Sequence, residues 1–533
     1  MATRGCRRGG IEEEFRSFRP PVAEKGAIIL GCDEEARNEE TREVDLLILG
    51  GPVVTMSDVR DPIIDPGAVA ISGDRIVAVG DREEIAARVR PRRTLERFGD
   101  IITPGIVDSY AHAGHGMIKG IHNQRLGWPP RDVYFHASTP EWWEADGELL
   151  GLERIKFGVT TAMSVLGATP PRVDDPIYSD AHCRGMGRTG IRDVLGIGPP
   201  DPFLQAEWTA TDWRSGEPVS VDYNYERCLE TIEEVVARWH GAESGRLTTC
   251  LSIPYLCGLN PRFMTGYHNH PYDGEDRVLM AERAQDAREL ADRLGLIIQT
   301  HGYRGTLEFG DEAFGRDLVD DILGPDVFFA HGHGFSPRDI DVLARTGAGV
   351  SWVPVGPRGV DFGPPPVVDL LRAGVEVAIC SDGAAPFFVS DVFSNVHRAL
   401  YLLWQKYHDM TYLPLGKALR MITIDAARLL GMEDEIGSLD VGKKADVVVI
   451  DAHQAHLTPT VAVPQLLSYY VRGNDVETVV VDGRILMEGR EVLSVDEGEV
   501  LQRATEESLR ALDRVDVTPY LEMPEGYWTS WTM

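Results

Sequence analysis

The sequence predicts an α/β fold, a (β/α)8 TIM barrel joined to a small discontinuous β-sandwich domain drawn from both chain ends. Three observations lead there. Short apolar runs alternate with amphipathic helical stretches through the middle of the chain. Hairpin signals bracket that middle on both sides. Polar residues suited to metal chemistry end several of the apolar runs.

The alternating region supplies eight candidate strands: Ile106–Tyr110, Thr160–Ser164, Ile191–Gly196, Thr249–Ile253, Leu296–His301, Val327–His331, Ala348–Trp352 and Val375–Cys380. Helical periodicity is clear over Val278–Leu294 and Pro337–Arg345. Eight strands separated by helices imply a parallel sheet, and eight suffice to close a barrel. An open doubly wound sheet is the alternative, but no Gly-x-Gly-x-x-Gly follows the first strand.

The flanks have a different period. Asp45–Gly51 and Val53–Met56 read as strands, and Ala68–Gly80 as a hairpin turning at Ser72-Gly73-Asp74. Asp446–Asp451 and a hairpin turning at Asp482-Gly483 answer them near the other end. Neither group has enough strands for a stable core, so the two are expected to pair. The expected division is a tail or arm over 1–43, a composite β domain from 44–101 plus 436–495, a catalytic barrel over 102–435, and a C-terminal helix and tail over 496–533.

Composition narrows the partners. The chain has 533 residues, 84 acidic against 53 basic, and a net charge of −31. Such a surface repels phosphate backbones and anionic bilayers, so neither nucleic acid nor membrane is expected as a partner. No run reaches the ~18 apolar residues of a membrane span, and the basic start, Met1–Gly10, is not followed by the apolar stretch of a signal peptide. Seven scattered cysteines without a Cys-x-x-Cys pair fit a reducing cytoplasm and argue against a cysteine-built zinc site.

Side chains that act in such a barrel project from the C-terminal ends of its strands. The first strand ends in Asp108-Ser109-Tyr110-Ala111-His112, the fifth in Thr300-His301, the sixth in His331-Gly332-His333 and the eighth in Ser381-Asp382. A lone histidine is usually an ordinary core or surface residue. Three histidine sites and a carboxylate at four strand ends are what a first-row divalent metal needs.

These residues, with Ile102-Thr-Pro-Gly-Ile-Val-Asp-Ser-Tyr-Ala-His112, Asp382-Gly383 and Gly437-Ser-Leu-Asp-Val-Gly-Lys-Lys-Ala-Asp-Val-Val-Val-Ile-Asp451, resemble the amidohydrolase superfamily over roughly residues 44–490. The similarity is to its cytosine deaminase and chlorohydrolase branch. It implies one divalent metal, zinc or iron first and manganese or cobalt next, held by His112, His301 and Asp382. It also implies Asp382 as the base toward water and His331 beside the developing oxyanion. Binuclear members carry a lysine at the end of the fourth strand, where this chain has Leu251-Ser-Ile-Pro-Tyr-Leu256.

Two positions depart from that pattern. The usual His-x-His is Tyr110-Ala111-His112, leaving Tyr110 as a direct ligand, as a hydrogen-bond donor behind the ligands, or as the mark of a lost metal site. The glutamate that such deaminases place three residues after the fifth-strand histidine is Arg304, which stays charged and cannot shuttle protons. Arg304 can bind a carboxylate or polarise a carbonyl, or it forms a surface ion pair.

Further pocket candidates are Tyr303, His333, Trp128 and His115, with His122, Asn123 and Arg125 in the same loop as Trp128. His268-Asn-His270 reads as loop, and the aromatic, acidic Tyr520–Met533 as a docking segment or a free end. The expected function is metal-dependent hydrolysis of an amide, urea or carbamate-like C–N bond in a small molecule. Deamination or dehalogenation of an N-heterocycle is the alternative, and an inactive scaffold barrel the third reading. A homo-oligomer is the family's habit.

Overall fold

In a computed structural model, the described residues are 29–30 and 41–529, except 124–125, 127–132, 134–135, 167–172, 202, 204–206, 213, 223, 264–271, 355, 357–361 and 385–388. Eight parallel strands follow one another around a single sheet: β1 (Ile106–Asp108), β2 (Val159–Val165), β3 (Arg192–Ile197), β4 (Leu247–Ile253), β5 (Ile298–Tyr303), β6 (Val327–His333), β7 (Gly349–Trp352) and β8 (Val377–Ile379). Each is almost wholly buried, as strands covered on both faces must be. The ring is joined at its mouth, just beyond the ends of β1 and β8. There His112 N–H donates to Asp382 O and Asp382 N–H to Tyr110 O, each at 3.1 Å. The residues expected to carry chemistry therefore also close the barrel.

The interior is filled by alternate side chains of the strands, among them Val107, Tyr110, Met163, Val194, Cys250, Phe328, Ala330 and Ala378. Outside lie the helices, of which α1 (Pro140–Lys156), α2 (Ile177–Thr189), α3 (Gly274–Leu294) and α4 (Pro337–Thr346) matter below. Helix α4 begins at a Ser336–Asp339 capping box and stops at Gly347 in the left-handed region, φ 80°. A two-stranded excursion, Glu207–Thr211 with Pro218–Asp222, interrupts the connection after β3. Neither run is long or apolar enough to announce itself in the sequence.

Both chain ends meet in two further sheets. Val447–Ile450 pairs antiparallel with Ile101–Pro104, which joins C-terminal to N-terminal segments in one seven-stranded sheet. A five-stranded sheet containing Arg42–Leu49, Gly67–Ser72, Arg75–Asp81 and Val89–Glu96 packs on it. Leu46, Ile48, Val69, Ile71 and Val79 meet Ile102, Val447, Val449 and Val480 in an apolar layer between the two. Helix α5 (Glu497–Leu512) lies along α1. Among the described residues no helix is long and apolar enough to cross a membrane.

Candidate metal centre

The period of a strand puts Asp108, Tyr110 and His112 on one side of the chain leaving β1. Asp108 stays below the mouth. Its carboxyl accepts from Ser381 N at 2.9 Å and Ser381 Oγ at 2.5 Å, pinning the turn that carries Asp382. Asp382 itself has φ 70°, a left-handed conformation uncommon outside glycine, and His331 has φ 74°. Such backbone is retained where surrounding contacts over-determine it, and both residues are among those expected to act.

Tyr110 Oη sits 2.7 Å from His112 Nε2 and 2.7 Å from His301 Nε2. Asp382 Oδ1 lies 3.6 Å from His112 Nε2. The ring of His331 stacks on His301 at 5.4 Å between centroids and on Tyr303 at 5.2 Å, with His333 beyond it at 5.8 Å. His115 stacks on His112 at 4.5 Å. His112, His115, His301, Tyr303, His331, His333, Asp382 and Tyr110 thus converge on one buried mouth.

Hydrogen bonding assigns part of the proton inventory. His301 Nδ1–H donates to Pro254 O at 3.0 Å, which leaves Nε2 as a bare lone pair. The Tyr110 hydroxyl can donate its single proton there. His112 Nε2, at the same distance from the same oxygen, must then donate to it or turn its own lone pair to a cation. Fixing one imidazole nitrogen through a backbone carbonyl to leave the other bare is how metal-binding histidines are commonly oriented.

Burial sets the charges. It lowers His112 to about 3, helped by neighbouring His301, and lowers His301 and His333 to about 4. It raises Asp382 to about 8, with the Asp108 carboxyl adding to the rise. It also pushes the Tyr110 phenol well up. The distance between His112 and Asp382 looks like an ion pair, yet both groups are driven toward neutrality. The dominant cause on each is desolvation, which a bound cation would offset at Asp382, keeping it a carboxylate able to take a proton. The bare Nε2 of His301 and a buried carboxyl without a cationic partner suit a divalent cation, which would compensate the carboxylate. The donor set is nitrogen and oxygen, as borderline metals prefer.

Arg304 does not join the group. Strand β5 ends at Tyr303, and the next turn is held by Asp339, whose carboxyl accepts from Gly305 N at 2.8 Å and Leu307 N at 3.0 Å. Arg304 is exposed, with its guanidinium 4.9 Å above the Phe263 ring. Of the alternatives the sequence left open for Arg304, the structure shows an exposed side chain resting on an aromatic ring. Trp128, Arg125, His268 and His270 lie outside the described residues. The Asp108–Ser381 clamp and the Pro254 carbonyl were not anticipated. Asp108 was legible through its two-residue spacing from Tyr110; a carbonyl acceptor leaves no sequence signal.

The family model described as Amidohydrolase family matches residues 101–486. The chain belongs to the amidohydrolase family. It is accordingly a hydrolase acting on non-peptide carbon–nitrogen bonds. A short segment, 67–88, also matches the model described as Imidazolonepropionase-like composite domain, bacteria. The chain is 30% identical over 465 residues, 84% of its own length and 96% of the relative's, to 5-methylthioadenosine/S-adenosylhomocysteine deaminase of Desulforudis audaxviator. It superposes on an adenosine deaminase from Xanthomonas campestris with bound zinc at TM-score 0.72 and 22% identity, covering 89% of this chain and 100% of that one. Atrazine chlorohydrolase from Arthrobacter aurescens complexed with zinc follows at TM-score 0.65, 19% identity, and 87% and 100% coverage.

Proposed function

We propose that this amidohydrolase cleaves an amide, urea or carbamate-like C–N bond of a small molecule at a single divalent metal held by His112, His301 and Asp382, with Tyr110 touching the same centre. The observation that carries the reading is the meeting of the two Nε2 atoms at one phenol oxygen, 2.7 Å from each. The choice of bond follows from Arg304. With that residue turned out onto Phe263, the fifth-strand position offers no carboxylate to protonate a ring nitrogen. When bound, the cation supplies Lewis acidity toward water and the scissile carbonyl.

The chain's own groups do the rest. Asp382, beside His112, takes the proton of the attacking water and hands it to the leaving nitrogen. His331, stacked between His301 and Tyr303, faces the developing oxyanion and supplies positive polarity there. His115, His333 and Tyr303 line the mouth around the substrate. Zinc suits the nitrogen and oxygen donors, and iron is the next choice. The protein works on small molecules without nucleic acid or membrane partners, as a cytoplasmic homo-oligomer. Its domains follow the division over 1–43, 44–101 with 436–495, 102–435 and 496–533.

A second reading, release of ammonia from an aminopurine nucleoside, is favoured by the deaminase relative. It requires another proton donor, and His333 is the nearest unused imidazole beyond His331. A substrate screen on zinc-loaded enzyme separates the two. Amine release from amides or ureas is the expected outcome. Ammonia from an aminopurine, with no turnover of amides or ureas, overturns the first reading in favour of the second.

A further inference from the structure

Three successive amides after β1 are tied to three different elements. His112 N–H donates to Asp382 O at 3.1 Å and Ala113 N–H to Val165 O at 2.9 Å. Those two bonds are backbone to backbone and need no particular side chain. The third differs: Gly114 N–H donates to Asp146 Oδ2 at 2.8 Å, and the same oxygen accepts from His182 Nδ1 at 3.1 Å. Asp146 is on α1 and His182 on α2, and both side chains have no solvent exposure at all. The helices come close enough for this because glycines face the crossing. A Cβ on Gly147 would lie 2.4 Å from His182 O, and one on Gly185 would lie 2.1 Å from Glu144 O.

A fully buried His–Asp pair is a poor way to gain stability, since well-packed apolar residues of similar volume usually do as well or better. What apolar residues cannot do is accept the Gly114 N–H. That amide starts the turn His115–Ile118, with Gly114 at φ 82°. The turn wedges His115 between two residues of the mouth. Its ring stacks on His112 at 4.5 Å and 24°, and its Nδ1 lies where a Cβ on Gly383 would approach within 2.4 Å. The loop that carries His115 therefore sets the orientation of His112 and the room beside Asp382.

We propose that Asp146 and His182 are a buried positioning pair for the metal centre, acting through Gly114 to hold His115 against His112. The inference rests on the metal-centre reading above and deepens it. Neither residue touches substrate or cation; they work through the loop. Replacing such outer partners commonly costs about 10–100-fold in metal affinity or activity.

The test uses the full chain loaded with zinc alone, and reads zinc release to a chromogenic chelator together with hydrogen exchange over 113–118. Asp146→Ala should release zinc about 10–100-fold faster and raise exchange at Gly114. Asp146→Asn keeps an oxygen for the Gly114 N–H and should stay below that range, within about 3-fold of the parent. A folded Asp146→Ala protein with parental release and parental exchange, changed only in melting temperature, overturns the proposal. Should Asp146→Ala not fold, exchange in the parent decides. A protected Gly114 amide supports the anchor, and exchange as fast as an exposed loop overturns it. Failure of the parent to bind any divalent metal is a failure of the metal-centre reading instead, and the exchange comparison still judges the anchor.

Discussion

The β1 rim and the β5 rim of the barrel each carry one departure from the family pattern, and the structure treats the two oppositely. Two residues past the end of β1, Tyr110 replaces a histidine at an inward position. It is fully buried and hydrogen-bonded to both His112 and His301. Past β5, Arg304 replaces a glutamate one residue beyond the strand end, and it is exposed with its guanidinium over Phe263. The difference teaches that what holds the backbone just past a strand decides what a substitution can do. Asp382 N–H donates to Tyr110 O and keeps the chain on course across the mouth, so the side chain stays at the centre and Tyr110 alters its chemistry. After Tyr303 the chain turns instead, with Asp339 holding the Gly305 amide, and Arg304 is exposed against Phe263.

The largest expected effects are at Asp382, which follows β8, and at His301 on β5. Asp382→Asn should lower turnover by about 10²–10⁴-fold while the chain still folds, and His301→Ala should strip the bound metal. Metal analysis and steady-state rates check both. Retained metal and rates in His301→Ala would break the comparison at its base, because β5 would then contribute nothing inward. Next is Tyr110→Phe. Losing one hydroxyl that serves two imidazoles should cost about 10–100-fold in activity or metal affinity. Unchanged turnover and occupancy would reduce the phenol to packing. Tyr110→His sharpens the point, and is expected to bind metal at least as tightly as the parent in competition with a chelator.

Much of this was legible in the sequence, for a physical reason. Strands buried on both faces must be continuous apolar runs, so β1 to β8 stood out, and the residues ending them had to meet at one rim. Hairpins turning at Ser72-Gly73-Asp74 and Asp482-Gly483 announced themselves through left-handed turn residues, Gly73 and Gly483 at φ 58° and 71°. The side chains Tyr110, His112, His301, His331 and Asp382 were found by that route. What escaped depends on contacts distant in sequence. The Asp146–His182 pair sits on two separate helices, and nothing within either helix says that the two residues meet. The direction taken by Arg304 is set by Asp339, on α4, through the Gly305 amide.

A smaller effect is expected in the metal-free protein as pH falls. His112, His301 and His333 have folded-state values near 3, 4 and 4, below the ordinary 6.5. The unfolded chain therefore takes up protons that the folded chain refuses, and stability is lost as pH drops from about 6.5 toward 4. Melting temperatures of chelator-treated protein across that interval should fall more steeply than those of a His333→Phe variant. Equal slopes would mean that His333 is not held neutral by its burial.

The smallest effect separates the two rims most cleanly. Arg304→Ala removes an exposed side chain resting on Phe263, and surface changes of that kind stay within about 0.5 kcal/mol, or roughly 2-fold. Turnover and KM for the best substrate should thus hardly move. Arg304→Glu asks more of the comparison, since it restores the residue type that ring deaminases of this branch use. If the turn held by Asp339 fixes the direction of the side chain, the new carboxylate faces solvent and ammonia release from aminopurines does not rise. A rise of tenfold or more, far beyond the roughly 2-fold scale of a surface change, would show that position 304 can reach the mouth. In that event the chemistry of the residue, and not the turn held by Asp339, excludes it in the native chain.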